Sequence, residues 1–278
     1  MLTFTTAEMN MWIASVLWPL TRILGLIAAS PLYGNTSFPR TAKVLLGVML
    51  ALAIAPAIPA APAADPMSLA GLLILIQELL IGAAMGFSMR IVFAAVEMAG
   101  EVASMTMGLG FAATFDPQTR GRSTSVSQFL ALIATMAFMA VNGHLVLLEV
   151  LAESFYSLPI SATPVANGMS LQVVRWGATI FSVGLQLSLP IVAALLITTV
   201  ALGILTRAAP QLNIFGIGFP VSLGVGLLLL SQTLPYLSMP LQNLFNRGIE
   251  QSRSVPRAAF ERTPPTLPRV PAPLPPAQ

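Results

Sequence analysis

Five ionisable residues of this sequence, Arg22, Glu78, Arg90, Glu97 and Glu101, stand within long apolar stretches. A charge at the centre of such a stretch costs at least about 2.5–3.5 kcal/mol on membrane-insertion scales. Arg22 lies midway through the first stretch, and Glu78, beside Gln77, lies in the third. Arg90, Glu97 and Glu101 follow at spacings of seven and four, so a helix carries them on one face. Two carboxylates four apart repel unless a cation or another helix lies between them. Such a set suits three roles: an ion-translocation relay, pairing points for other subunits or the wet wall of a conduit, or groups snorkelling at an interface.

Other chemistries find little support. The absence of cysteine excludes disulfides, thiolate nucleophiles and Cys-type zinc sites. His144, in VNGH, is the sole histidine and has no acids near it at ligand spacing, so it reads as a satisfied helix-end residue and no metal is expected. There is no Ser-His-Asp arrangement, HExxH or P-loop, so neither catalysis nor a cofactor is expected. Hydrophobic residues make up 56% of the 278 and charged ones 8%, with a mean hydropathy of +0.83. Soluble domains carry about 25% charged residues, so this composition specifies an integral membrane protein. The net charge of +3 comes from arginines scattered at span ends and in the tail. They read as membrane-surface anchors, not as the clustered footprint of a nucleic-acid binder.

About six apolar segments must position these groups, most of them near the roughly 20 residues that span a bilayer core. They run from about Met11 to Ser30, Thr41 to Ile58, Leu69 past Arg90, Ser127 to Leu151, Val173 to Leu205 and Ile214 to Leu237. Pro19, Pro190, Pro220 and Pro235 interrupt them. The first basic residue is Arg22, so the opening segment reads as a retained span rather than a cleavable signal. Residues 1–250 form the expected membrane domain, and 251–278 a proline-rich, disordered tail. Small residues recur every four positions in GAAMG (Gly82 to Gly86), at Gly100, Ser104 and Gly108, and at Ser222 and Gly226; this spacing lets helices approach closely. Orientation signals conflict. Arg40, Lys43, Arg120, Arg122 and Arg207 alternate onto one side, but six full crossings strand the arginine-bearing tail on the other. Re-entrant hairpins buried in protein resolve the conflict.

Three stretches are specific: MGLGFAATFDPQTRG (Met107 to Gly121), AFMAVNGHLVLLEVLAESFYSLPI (Ala137 to Ile160) and LGILTRAAPQLNIFGIGFPVSLGVGL (Leu202 to Leu227). Together they closely resemble the FliR family of export-gate subunits in the flagellar type III secretion apparatus, whose injectisome relatives are the SctT proteins. The similarity runs from about Asn10 to Asn246, and NGH and NIFGIGFP look more like the flagellar branch. The resemblance implies an all-α fold of kinked helical hairpins packed in a multi-subunit export gate. It implies homologues of FliP, FliQ, FlhB and FlhA as partners, unfolded flagellar export substrates as cargo, and membrane lipid around the assembly. The implied location is the bacterial inner membrane, within the flagellar basal body, and the implied role includes helping to nucleate basal-body assembly. It also gives Arg22, Glu78, Arg90, Glu97 and Glu101 other subunits or the lumen as surroundings.

In this family the loop after the third segment plugs the pore, and the matching positions are Gly108 to Arg122. Their chemistry suits that task. Gly108 and Gly110 permit tight turns, Phe111 and Phe115 supply bulk, Asp116 and Pro117 set a turn, and Arg120 and Arg122 can hold the far end to acidic groups. Arg207, Pro210, Gln211, Asn213 and Pro220 read as a hairpin bend, with a broken chain whose freed backbone groups the polar side chains satisfy. The expected function is a gate subunit that lines and plugs the channel. The competing readings are a secondary transporter using Glu78, Glu97 and Glu101 as a proton relay, or the equivalent virulence gate subunit.

Overall fold

The computed structural model of the chain describes residues 6–35, 37–59, 62, 64–111, 124–161, 168–209 and 214–260. The described residues form nine α-helices: α1 Thr6–Ala29, α2 Arg40–Ile54, α3 Leu69–Thr106, α4 Ser125–Ala140, α5 Gly143–Ser157, α6 Gly168–Gly177, α7 Thr179–Ala208, α8 Ile214–Thr233 and α9 Ser238–Phe260. Short 3-10 turns lie at Ala55–Ala57, Leu109–Phe111 and Leu234–Leu237, and no strand occurs among the described residues. Five stretches are long and apolar enough to cross a membrane, or six with α4 and α5 taken as one broken span. The all-α membrane fold expected from the sequence is therefore the fold observed.

α3 is the axis. Its 38 residues extend about 57 Å at 1.5 Å per residue, well beyond the roughly 30 Å hydrocarbon core. Its start is fixed by local hydrogen bonds. The Ser68 hydroxyl accepts from the Gly71 amide at 3.0 Å and donates to the Asp65 carbonyl at 2.6 Å, while an Asp65 carboxylate oxygen accepts from the Met67 amide at 2.9 Å. α1, α4, α6, α7 and α9 all pack on α3. The crossing with α1 is the tightest: a Cβ on Gly82 would stand 1.9 Å from the Arg22 carbonyl oxygen, one on Gly25 2.5 Å from that of Leu79, and one on Gly86 2.6 Å from that of Leu26. The GAAMG motif is thus consumed inside the chain. Farther along, Gly100 lies against the Ser127 backbone of α4, and Gly226 of α8 against Met107.

Two elements depart from the sequence reading. The fourth segment is not one continuous span: α4 and α5 are bent by 66°. The break falls at Asn142, whose φ of 54° is left-handed, a conformation Asn tolerates better than most residues. Gly143 follows because any Cβ there would strike the Phe138 ring at 2.3 Å. The second departure is α9, which continues ten residues past the boundary set at 250. Its buried Leu241, Leu244, Phe245, Ile249, Ser252, Val255 and Ala259 recur at helical spacing. Phe93, Phe138 and Phe245 bring α3, α4 and α9 together, with ring centroids 5.3–5.9 Å apart. The proline-rich residues 261–278 lie outside the described residues.

Gly82→Ala forces α1 and α3 apart, because the obstruction is backbone. We expect a stability loss of at least about 1–3 kcal/mol, read as a lower melting temperature in detergent. Gly203→Ala, where nothing lies within 4 Å, serves as the control and should not lower it.

Candidate functional site

The buried polar centre begins at the α1–α3 crossing. Arg22 and Glu78 are both 0% exposed. Arg22 Nε donates to Glu78 Oε2 at 2.6 Å and Nη2 to Oε1 at 3.0 Å, a bidentate pair. Nη1 donates to the Ser154 carbonyl at 3.0 Å and its hydroxyl at 3.1 Å, and Nη2 also reaches the Leu158 carbonyl at 3.0 Å. These contacts employ all five N–H donors of a guanidinium. The Phe155 ring covers its face, 4.3 Å from the guanidinium carbon to the centroid, where a cation is attracted to the π cloud. Arg22 and Glu78 therefore have partners within the chain. The pair is closed within one chain because α5 returns to the crossing and supplies the remaining acceptors.

Glu101 is also satisfied internally. Its Oε2 accepts from the Thr124 hydroxyl at 3.0 Å and the Thr124 amide at 3.2 Å. Thr124 caps α4, its hydroxyl accepting from the Ser127 amide at 3.3 Å, and the Ser127 hydroxyl donates to the Glu97 carbonyl at 2.9 Å. Glu101 thus holds the far end of the segment that links α3 to α4, a role that spacing alone did not reveal. Arg90 and Glu97 remain exposed on α3. The shared face predicted for the three residues is real in register, but the packing of α4 divides it.

The near end of that segment is equally fixed. Met107 is buried, and Gly108 has φ +88°, with its missing Cβ position 3.1 Å from the Phe219 ring of α8. That positive φ, beside an aromatic ring, favours glycine. Leu109, Gly110 and Phe111 form one 3-10 turn, and nothing lies within 4 Å of a Cβ built on Gly110. An apolar cavity of about 360 Å³ sits beside it, lined by Leu109, Val126, Phe129, Leu227 and Leu230 among others. Phe115, Asp116, Pro117, Arg120 and Arg122 lie outside the described residues, as do Pro210, Gln211 and Asn213 of the expected bend. Arg207 is exposed in the last turn of α7, and Pro220 is exposed within α8. The Gly108–Phe219 contact brings the start of the one segment beside the helix that follows the other.

His144 stands in the first turn of α5, as expected of a helix-end residue, but its Nδ1 is buried without a partner among the described residues. Its carbonyl accepts from the Tyr33 hydroxyl at 3.2 Å, and burial pushes the Tyr33 phenol above its ordinary value.

Comparison with known proteins decides the family. Residues 13–248 match the bacterial export proteins, family 1. The chain belongs to that family. Among curated relatives of these export proteins, it is similar to the flagellar biosynthetic protein FliR of Pectobacterium carotovorum, 42% identical over 88% of this chain and 94% of the relative. FliR of Escherichia coli K12 is 38% identical over the same shares, and FliR of Bacillus subtilis 27% identical over 84% of this chain and 91% of its own. The resemblance read from three stretches is borne out.

Arg22→Met and Glu78→Leu should each destabilise this export protein by about 3–5 kcal/mol, because each strands a buried partner. The double variant should lose clearly less than the sum. Thermal unfolding of the four proteins in one detergent measures the coupling; strict additivity would mean that the pair is not the unit described here.

Proposed function

We propose that the chain is a subunit of the flagellar type III protein-export gate in the bacterial inner membrane, within the basal body. It lines and plugs the channel through which unfolded flagellar proteins cross, and it helps nucleate basal-body assembly. Homologues of FliP and FliQ complete the gate, and homologues of FlhB and FlhA associate with it. The observation that carries this reading is the match to FliR proteins over nearly the full length of both chains. The chain acts as a conduit component rather than an enzyme.

Physical features support the plug. A segment that must yield to a passing polypeptide needs firm ends, and both ends of residues 108–123 are firm: Met107 packs into the core and Thr124 is held by Glu101. By residue type, Phe111 and Phe115 are bulky enough to suit excluding water, and the glycines and the Asp116-Pro117 pair are types that suit turns. Arg90 and Glu97, still exposed, suit contact with a neighbouring subunit or the lumen. Arg207 to Pro220 suit a bend between α7 and α8. A proton relay fits less well. Glu78 is occupied by a bidentate arginine and Glu101 by Thr124, so two of the three carboxylates that a relay would use are already held. The flagellar rather than the virulence branch is favoured by the names of the relatives.

Deleting Gly110 to Arg120 should make the assembled gate leak small ions in planar bilayers, while the undeleted gate stays closed. Unchanged conductance would remove the plug and leave family membership intact.

A further inference from the structure

A cleft of about 360 Å³ opens where Pro190 of α7 faces the turn between α8 and α9. Its lining includes the apolar Leu187, Pro190, Leu237 and Leu244. It also includes Gln186, Tyr236, Asn243 and Arg247. None of these four side chains has a hydrogen-bond or ionic partner among the described residues. No carboxylate lines the cleft, and Glu250, one turn beyond Arg247, is 3.5 Å from Arg253. The cleft is therefore cationic, concave and amphipathic.

Its place in the sequence adds a second constraint. The last apolar segment ends at Leu237, and α9 then carries Gln242, Asn243, Asn246 and Arg247. Tyr236, 80% exposed, stands at that change. A tyrosine and an arginine at the border of apolar and polar sequence have the chemistry of a membrane–water interface, where aromatic rings sit at headgroup level and arginines snorkel. Leu185 and Leu189 continue the apolar surface along the exposed flank of α7.

We propose that this cleft binds the headgroup of an anionic phospholipid. The phosphate rests on Arg247, whose fork of N–H donors suits phosphate oxygens. Asn243, Gln186 and the Tyr236 hydroxyl donate to the remaining phosphate and headgroup oxygens. The acyl chains lie along Leu187, Leu189 and the neighbouring α7 surface. Free phosphate shares the charge but has no use for the apolar lining.

The test is native mass spectrometry of the full-length protein, extracted from membranes in mild detergent and offered phosphatidylglycerol or phosphatidylcholine of equal chain length. Retained adducts should favour phosphatidylglycerol about tenfold, and Arg247→Gln should abolish the preference, an effect of the size expected for one charge-assisted contact. Arg247→Lys should keep part of it, and Arg253→Gln should keep all of it. Melting temperatures of the variants verify that each is folded. Equal retention of both lipids, or an unchanged preference in Arg247→Gln, overturns the site. Displacement of the adduct by millimolar inorganic phosphate alone means that a free anion is the ligand, and it overturns the lipid assignment. Loss of a co-purifying membrane protein in Arg247→Gln, with lipid adducts intact, assigns the cleft to protein contact instead.

Discussion

Arg22 and Glu78 fix where α1 crosses α3, and the remaining helices are arranged around that crossing. A buried ion pair is stabilising only if the geometry is good and every leftover donor and acceptor is satisfied. Here the guanidinium has five acceptors and an aromatic cover, drawn from α3, α5 and the residue that ends α5. Gly82 and Gly25 allow the two backbones to come close enough for the pair to form. The pair thus ties together three parts of the chain that are 56 and 132 residues apart in sequence. In an apolar chain, where hydrophobic contact discriminates poorly between one helix face and another, such a directional contact supplies register.

From that fixed crossing α3 runs on to position the rest. Its middle meets α9 through Phe93, Val92 and Met89, and its end meets α4 and α8 through Gly100 and Met107. The segment after α3 therefore starts and finishes on packed structure, with Glu101 and Thr124 closing its far end. Surface charge contributes much less. The Arg253–Glu153 pair, 2.9 Å but partly exposed, is worth at most about 1 kcal/mol. By contrast, α2, α7 and α8 present rows of exposed aliphatic side chains, among them Leu45, Met49, Ile197, Ile204 and Leu228. A single chain leaves these faces uncovered, as a component built for a larger membrane assembly would.

The apolar segments were legible because a composition this greasy, broken by Pro and Gly, admits few alternatives. The Gly82–Gly86 spacing correctly announced a close helix contact, although spacing could not say that α1 of the same chain was the partner. The ion pair was harder. Arg22 and Glu78 lie in different segments, and only the fold brings them together. The 66° break between α4 and α5 had a visible signal in the Asn-Gly dipeptide of VNGH, a turn marker overridden by the length of the apolar run. α9 was obscured by its polarity and by the prolines after it, yet Leu241, Leu244, Gly248, Ser252, Val255 and Ala259 keep helical spacing. Among the plug and bend residues, Gly108, Gly110, Phe111, Arg207 and Pro220 are described.

The account rests on the exposed apolar faces being covered by other proteins of the export apparatus. In-cell photocrosslinking tests this directly, with a photoreactive residue placed singly at Leu45, Met49, Ile197, Ile204 and Leu228 in a strain that builds flagella. The account predicts covalent adducts with distinct membrane proteins of that apparatus at several of these positions. Protein adducts at none of them, in cells that remain motile, would contradict it.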